Sequence, residues 1–573
     1  MTTAKPSRAK ELDQLLGDPW RPGAPLSHQA VLRADERAEM CAEGERLLDD
    51  FGLNAEFVPA RYGGRLVRLD DLIDVMRAVF RRDPALGLGY GVSSFIAGVN
   101  VWAAGRTEQC QAIAGLLLAG NRVASAYHEL AHGNDFARVE LAATPSGPAG
   151  LRLTGRKEVI TNAARAAALV VLARTDPAPG SRSLSQLIVD RAAAPPATLV
   201  ELPRYASTGM RGVPLGGLEF HGCPVPRSAV LGAPGHGVEV ALRSFQVTRT
   251  ALPAMLAGVL DTGIRVAAGF AAARTLYGRT VGDLPAVRAT LVDAFVDLLI
   301  ADSMALVTAR AIHAVPDRTS VAASATKFLV SRRLMDAMDR LSRLLGAQFY
   351  VRTGEHALFQ KLLRDLAPAG FAHAARVACL MTMLPQLPLM ARRDWRSGGQ
   401  PPPAAVYQRG TPLPPLSFAD LAVTTGGRDP LAAALAPAVD ITAGADPDLH
   451  RLAVAFRAEL AALTTDCAQL HPRDLGPEAS PEALGLAARY ATVLAATACL
   501  NVWCHEPDDR FLGDPAWVVA ALHRLARSGR IAVAAGPRPL AARRAALYAE
   551  LASRLAGHRT FDLADRPLPR GDS

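Results

Sequence analysis

The sequence predicts an α+β protein that is mainly helical. Between about residues 28 and 121 apolar residues recur at three- and four-residue spacing, which is typical of amphipathic helices. Between about 122 and 237 the pattern changes to short β-rich runs bounded by Gly, Pro, Asn and Asp. Long helical patterns return from Val238 onward. This order lacks the regular alternation of strands and helices that a parallel sheet requires, and it disfavours a Rossmann-type fold.

The chain has 573 residues, enough for several domains, and half of them are hydrophobic while a fifth are charged. This composition excludes a disordered or collagen-like chain. The net charge of +9 carries little information, because only five of the 63 basic residues are lysine and the Arg bias accompanies many Ala, Gly and Pro residues. Basic runs with interleaved aromatic residues are absent, so we expect no nucleic-acid partner.

Changes in residue pattern divide the chain into segments. A Pro- and Gly-rich stretch, DWRSGGQPPPAAVYQRGTPLPPL, interrupts the helical patterns and predicts a linker. Within the last segment, the Arg-rich stretch 524–544 is expected to form a solvated face, with contact to an acidic carrier protein as the alternative. The predicted segments are an N-terminal arm (1–27), a helical domain (28–121), a β domain with hairpins (122–237), a helical bundle (238–393), the linker (394–416) and an appended helical domain (417–573).

The seven cysteines are scattered without CxxC spacing, which fits a reduced cytoplasm. The first residues lack the apolar core of a signal peptide, and the charge pattern predicts no membrane span. Cys467 with His471, and the cysteines between 498 and 506, suggest a metal site only weakly, because zinc requires four ligands with tight paired spacing. We therefore expect no bound metal.

Several local strings occur in the order found in one family. The string SAYHELAHGND at 125–135 is similar to a flavin-binding segment with the pattern Thr-Glu-x-x-x-Gly-Ser-Asp, and GRKEVITNA at 155–163 to a Gly-x-Lys-x-Trp-Ile-Thr-Asn hairpin. Further strings are PARYGG at 59–64, TGMRG at 208–212, LGAPGHG at 231–237, FQVTRT at 245–250 and RTLYGR at 274–279. On these strings the chain, over about residues 50 to 395, resembles the acyl-CoA dehydrogenase flavoproteins.

The resemblance implies an acyl-CoA dehydrogenase-like fold, an FAD cofactor and a set of site residues. The residues implied for the cofactor are Tyr127, His128, Glu129, Gly133, Asn134, Ile160, Thr161, Arg274, Tyr277 and Gly346, and those implied for the substrate are Asn134, Gln246 and Arg249. Arg274 would reach the FAD pyrophosphate of a neighbouring subunit, since guanidinium binds phosphate in a bidentate way. Other interpretations remain open: a turn with a satisfied carboxylate at Glu129, a plain β-turn opened by Thr161 and Asn162, a solvated helix face at each arginine, and a helix-face histidine at position 373.

The sequence departs from the family at three informative positions. Val159 stands where the family has Trp, and Pro285 where it has Gln. In the family, the catalytic base is a Glu that removes the α proton of the thioester, and counting from the Arg364–Asp365 pair places His373 at its position. In some branches the Glu precedes the Arg of the FQVTRT segment, and this position is Thr248. Either His373 is a substitute base, or the alignment is shifted, or the protein does not perform ordinary dehydrogenation.

The resemblance leaves three alternative functions open for this protein. The leading expectation is an FAD-dependent oxidoreductase that forms an enoyl thioester from an acyl-CoA or acyl-carrier-protein substrate, with an electron-transfer flavoprotein or oxygen as acceptor. It would be a homodimer or a dimer of dimers, in the cytoplasm. The alternatives are a flavin-dependent monooxygenase on the same scaffold and a non-catalytic partner subunit.

Overall fold

The structure is a computed structural model that describes residues 7–178, 180, 182–372, 375–534 and 540–570. The chain forms two compact units. Unit 1 comprises residues 1–248 with 417–423, and unit 2 comprises 249–416 with 424–573. The segment boundaries predicted from composition remain predictions. The structure does, however, place the appended helices and the bundle helices in one unit.

Unit 1 begins with helices and continues into a sheet. Its helices are α1 (Arg8–Leu16), α2 (His28–Glu36), α3 (Ala42–Phe51), α4 (Leu69–Phe80), α5 (Pro84–Leu86), α6 (Ser93–Ala104) and α7 (Thr107–Leu118). A short π-helical stretch, Gly87–Val92, joins α5 to α6. Local signals set several ends: the Ser27 hydroxyl accepts a hydrogen bond from the amide of Ala30 at the start of α2. The sequence therefore predicted the helical character of this region correctly.

The sheet of unit 1 is mostly antiparallel and follows the order β6-β7-β3-β2-β4-β5-β8, with β1 parallel to β4. Its strands are β1 (Arg122–Ala126), β2 (Ala142–Ser146), β3 (Gly150–Thr161), β4 (Ala166–Arg174), β5 (Leu184–Asp190), β6 (Leu199–Leu202), β7 (Leu215–Pro226) and β8 (Val230–Leu231). β3 and β7 pair over most of their length, with a register shift between Lys157 and Ile160. This bulge lies in the hairpin string identified in the sequence.

Helix α8 (Gly237–Ala273) starts in unit 1 and continues into unit 2. The other helices of unit 2 are α9 (Pro285–Ala314), α10 (Ser320–Leu345), α11 (Ala357–Asp365), α12 (Arg376–Met383), α13 (Leu387–Met390), α14 (Pro430–Ala433), α15 (Leu435–Thr442), α16 (Pro447–Ala468), α17 (Pro481–His505), α18 (Pro515–Gly529) and α19 (Leu540–Ala556). A small hairpin pairs β9 (Thr275–Leu276) with β10 (Arg279–Thr280). Pro285, at the first position of α9, suits a helix start, because its missing N–H has no intrahelical partner there.

The appended helices pack directly on the bundle helices of unit 2. Asp297 of α9, which is fully buried, accepts hydrogen bonds from Nε and Nη2 of Arg524 at 2.5 and 2.6 Å. Arg333 and Arg340 of α10 contact the same carboxylate. The expected solvated face of 524–544 is therefore wrong at Arg524, whose charge is used inside the unit.

Three helical stretches of the described residues are long and apolar enough to cross a membrane, namely Pro84–Ala104, Gly237–Ala273 and Pro481–His505. Length and composition alone thus do not support the expectation of no span. The three apolar windows are 94%, 94% and 67% buried inside the protein. Their apolar surface is largely buried by packing inside the protein, as expected for core helices.

Candidate flavin and thioester site

The two flavin-motif strings of unit 1 are bonded directly to each other. The carbonyl of His128 accepts a hydrogen bond from the amide of Glu158 at 2.9 Å. The amide of Leu130 donates in return to the Glu158 carboxylate at 3.1 Å. The segment after β1 and the end of β3 therefore form one structural element, although about 30 residues separate them in the sequence.

A buried ion pair lies beneath this junction. The ammonium of Lys157, with no exposed surface, lies 2.8 Å from the Glu129 carboxylate and donates to the Tyr127 carbonyl at 3.0 Å. Glu129 also accepts from the amides of Glu140 and Leu141 at 2.9 and 3.1 Å. The structure thus has the satisfied-carboxylate arrangement considered for Glu129, and the side chain holds the loop closed.

Burial and pairing have opposite effects on these two groups. Burial lowers the pKa of Lys157 to about 8, although Glu129 opposes this shift. Burial alone would raise the pKa of the Glu129 carboxyl, but Lys157 and the two amides hold it below its usual value. Both groups therefore carry their charges at neutral pH, and each charge depends on the other.

Tyr127 and His128 follow β1 and have different environments. The buried Tyr127 hydroxyl donates to the Asn100 side-chain oxygen at 2.7 Å, and burial raises the pKa of this phenol. His128 is half-buried, and its Nδ1 is buried without a hydrogen-bond partner. Burial and the Lys157 charge lower the pKa of His128, which keeps the imidazole neutral at pH 7. His128 is thus a polar group that still requires a partner.

The loop after Glu129 presents the remaining motif residues to solvent. Gly133 has φ of 55°, which glycine adopts without the cost other residues incur, and its amide donates to the Glu129 carbonyl at 3.0 Å. Asn134 and Asp135 are exposed, and Asp135 lies 3.4 Å from Arg138. Asn134 is therefore accessible, as its predicted roles toward cofactor and substrate require.

The second string ends in a bulge with unusual backbone. Val159 has φ of 58°, a left-handed conformation that costs a β-branched residue free energy. Beyond it Ile160 is buried and Thr161 half-buried. Asn162, also left-handed at 62°, donates from its buried amide to the Gly89 carbonyl and the Ser93 hydroxyl, both at 2.7 Å. The bulge is thus attached to the π-helical stretch, a role for Asn162 that its turn-forming character alone did not indicate.

Two predicted positions of α8 lie in unit 1. The Gln246 amide donates to the Ala422 carbonyl at 2.8 Å, so this face of the side chain is occupied by the protein's own backbone. The Thr248 hydroxyl is buried and directed at the carbonyls of Ser244 and Phe245 at 3.4 Å. Thr248 provides no carboxylate, and both of these contacts lie within its own helix.

The remaining predicted residues are in unit 2. Arg249 is buried and donates to the hydroxyls of Ser324 and Thr382 at 3.0 and 3.1 Å, so the interpretation as a solvated helix face is wrong for it. Arg274, in contrast, is exposed, and its guanidinium carbon lies 5.6 Å from the centroid of the Phe270 ring.

Tyr277, in the turn of the β9–β10 hairpin, is 90% exposed. Gly346 ends α10 with φ of 56°, which explains the glycine. His373 lies outside the described residues. Among the described residues, no group of three or more His, Cys, Asp or Glu side chains is arranged to hold a metal ion.

Comparison with protein families gives two matches that coincide with this geometry. Residues 124–223, which include both flavin-motif strings, match the acyl-CoA dehydrogenase middle domain, and residues 235–371 match the acyl-CoA dehydrogenase C-terminal domain. The chain therefore contains the middle and C-terminal domains of the acyl-CoA dehydrogenase family. The resemblance inferred from the sequence is therefore confirmed.

The individual proteins that the chain resembles are distant from it in sequence. Mitochondrial isovaleryl-CoA dehydrogenase of Oryza sativa subsp. japonica is 28% identical over 272 residues, which cover 47% of this chain and 66% of the rice protein. The chain thus matches slightly less than two thirds of that relative.

Two solved structures establish the fold. An acyl-CoA dehydrogenase from Bacillus anthracis, complexed with FAD, is 16% identical with a TM-score of 0.71 and covers 96% of each chain. The prolyl acyl carrier protein oxidase AnaB is 18% identical with a TM-score of 0.59, over 66% of this chain and 98% of its own. The predicted acyl-CoA dehydrogenase-like α+β fold is confirmed, and the first comparison extends it over the appended helices.

Proposed function

We propose that this protein is an FAD-dependent oxidoreductase that removes the α and β hydrogens of an acyl thioester. The observation that carries the proposal is the direct bonding of the two flavin-motif strings through His128 and Glu158, with the Lys157–Glu129 pair beneath. This arrangement fixes the backbone on which the family holds its flavin. The substrate would be carried by CoA or by an acyl carrier protein, and AnaB, named an acyl carrier protein oxidase, supports the second carrier.

The residues present fit a flavin. The buried Nδ1 of His128 has no partner in the protein, and a neutral imidazole can donate to or accept from a flavin heteroatom. Asn134 and the half-buried Thr161 add polar groups on the same two segments. Bound FAD would supply the hydride acceptor. The exposed guanidinium of Arg274 suits binding of the FAD pyrophosphate. In the family, the arginine of this motif contacts the FAD bound to a neighbouring subunit.

The homo-oligomer is part of this proposal. Near the exposed Arg274, the β9–β10 hairpin also exposes Leu276 and Tyr277, and Tyr350 is exposed after α10. Large apolar side chains that a single chain leaves in solvent are suited to burial against a second copy. The acceptor would be an electron-transfer flavoprotein or oxygen. All seven cysteines are free, which supports a reducing compartment such as the cytoplasm.

Neither family position for the base that removes the α proton holds a carboxylate in this sequence. Thr248, at one family position, carries a hydroxyl that contacts the Ser244 carbonyl of its own helix. His373, at the other, is the proposed substitute, since imidazole titrates near neutral pH. The same absence of a carboxylate at Thr248 favours a second candidate, a flavin-dependent monooxygenase that activates oxygen and requires no such base.

The test is the visible spectrum of the purified full-length protein, followed by anaerobic mixing with acyl-CoA and acyl-carrier-protein thioesters. Stoichiometric FAD and bleaching by a thioester would support the dehydrogenase. Bound flavin that no thioester bleaches, but that forms a hydroperoxide adduct with oxygen after chemical reduction, would support the monooxygenase. Protein that cannot be reconstituted with flavin would overturn both and leave a partner subunit.

Two substitutions separate the possible bases. His373→Gln should abolish bleaching if His373 removes the proton, while leaving the flavin bound. Thr248→Glu introduces a carboxylate at the alternative family position, and it should restore bleaching to His373→Gln. If His373→Gln bleaches at the wild-type rate, His373 is not the base.

A further inference from the structure

Unit 2 contains two buried cationic side chains on adjacent helices. Lys327 of α10 has no exposed surface, and its ammonium has no hydrogen-bond partner. Arg249 of α8 is also buried, and its guanidinium contacts Ser324, which is one helical turn before Lys327. Residues three apart on a helix share a face, so the two cations lie on the same side of α10.

The described groups around Lys327 are polar, and none that shifts its pKa is a carboxylate. Ser331, one turn after Lys327, has a buried hydroxyl that also lacks a partner. Arg249 contacts Thr382 of α12, and Cys379 is one turn before Thr382. The pKa of Lys327 is lowered to about 8 by burial and by Arg249, and Cys379 opposes the shift; no carboxylate contributes among the described residues. We call Arg249, Ser324, Lys327, Ser331, Cys379 and Thr382 the buried cationic cluster.

Such an arrangement is unfavourable unless a negative group completes it. An ammonium removed from water without a partner is costly, and a second cation nearby increases the cost. Burial raises the pKa of the Cys379 thiol although Arg249 and Lys327 oppose the rise, so the thiol does not supply the charge at neutral pH. The hydroxyls of Ser324 and Thr382 donate to helix carbonyls at 3.1 and 2.8 Å, so their oxygens are oriented toward Arg249.

We propose that the buried cationic cluster binds a carboxylate group, received by the Lys327 ammonium and the Ser331 hydroxyl beside Arg249. A carboxylate matches the site because it is small, accepts several hydrogen bonds and carries a single charge. Its source is either a small free carboxylic acid or the terminal carboxylate of an acyl substrate. The second source rests on the proposed function, and it would make the substrate the thioester of a dicarboxylic acid.

The first experiment measures thermal unfolding of the full-length protein in sodium formate, with sodium gluconate, whose anion is larger, keeping the ionic strength constant. The Tm should rise with the logarithm of formate concentration, as for a ligand that binds only the folded state. Lys327→Met should abolish the rise. Lys10→Met, the same change at an exposed lysine, should retain it.

Ser331→Ala keeps the charges of Lys327 and Arg249, and it is the variant to test if Lys327→Met does not fold. It should weaken the apparent formate affinity about tenfold, the effect expected for a lost hydrogen bond to a charged ligand. A wild-type Tm that is insensitive to formate, or a rise that persists in Lys327→Met, would overturn the proposal. So would a thiolate absorbance that Cys379→Ser removes, because the counterion would then be internal.

The two sources are distinguished by competition. Succinyl-pantetheine, but not butyryl-pantetheine, should reduce the formate effect if the acyl terminus is the ligand. If neither thioester competes and formate still raises the Tm, the ligand is a free carboxylate. Because these measurements do not depend on flavin reduction, a positive formate effect without any bleaching would refute the proposed function and leave the carboxylate site standing.

Discussion

Asp297→Asn should destabilise unit 2 strongly. The carboxylate is fully buried and accepts hydrogen bonds from Nε and Nη2 of Arg524 at 2.5 and 2.6 Å. It lies 3.3 Å from Arg333, and Arg340 also contacts it. An amide keeps the shape but leaves three guanidinium groups without their shared counter-charge. Removing one partner of a buried ion pair costs about 3–5 kcal/mol, and this range is the expected loss in free energy of unfolding.

Asp293→Asn is the matched control. Asp293 lies one helical turn before Asp297 on α9 and bonds to the same Arg524 at 2.7 Å, but its side chain is 29% exposed. An exposed pair contributes only about 0–1 kcal/mol. The measurement is urea unfolding followed by tryptophan fluorescence, since Trp517 lies on the same helix as Arg524. If the two variants differ by less than about 1 kcal/mol, the argument that burial at Asp297 sets the energy is refuted.

Three other perturbations test separate features. Burial lowers the pKa of His28 from 6.5 to about 3, so the unfolded chain binds the extra proton; stability should fall by up to about 1.4 kcal/mol per pH unit from pH 6.5 toward 3, and urea unfolding of His28→Leu should show a shallower decline. Lys157→Met and Glu129→Gln should each lower the flavin content of the purified protein, because either leaves a buried charge without its partner, whereas normal content in both would contradict the role of the pair. Arg274→Gln should weaken FAD retention about tenfold or more, and Arg279→Gln, also exposed in the same hairpin, should not; equal loss in both would indicate a general charge effect.

Local patterns predicted the fold well. The change from helical to β texture near residue 122 coincides with β1, which begins at Arg122. The motif strings were sufficient to predict the family, because each is a short run whose backbone geometry is set by nearby residues. Gly133 and Gly346 both have positive φ, a conformation that favours glycine, so such positions can be recognised in a sequence.

Tertiary partners were less predictable. Arg524 and Asp297 are 227 residues apart, and nothing local distinguishes Arg524 from the many arginines that remain in solvent. The burial of Arg249 could not be predicted from the sequence for the same reason. The unsatisfied ammonium of Lys327 could not be predicted, since a missing hydrogen-bond partner is a property of the packed helices around it.

The Lys157–Glu129 pair also limits how this protein can diverge. A chain that replaces only one of the two residues passes through a state with an uncompensated buried charge, whereas a simultaneous exchange for two apolar residues avoids that state. The two positions are therefore expected to change together or not at all, with a large coupling energy in a double-mutant cycle. Residues that act directly on a substrate are under no such constraint from folding. A lineage can thus alter its chemistry while the flavin-motif strings stay nearly intact, so these strings report the integrity of the scaffold better than they report the reaction.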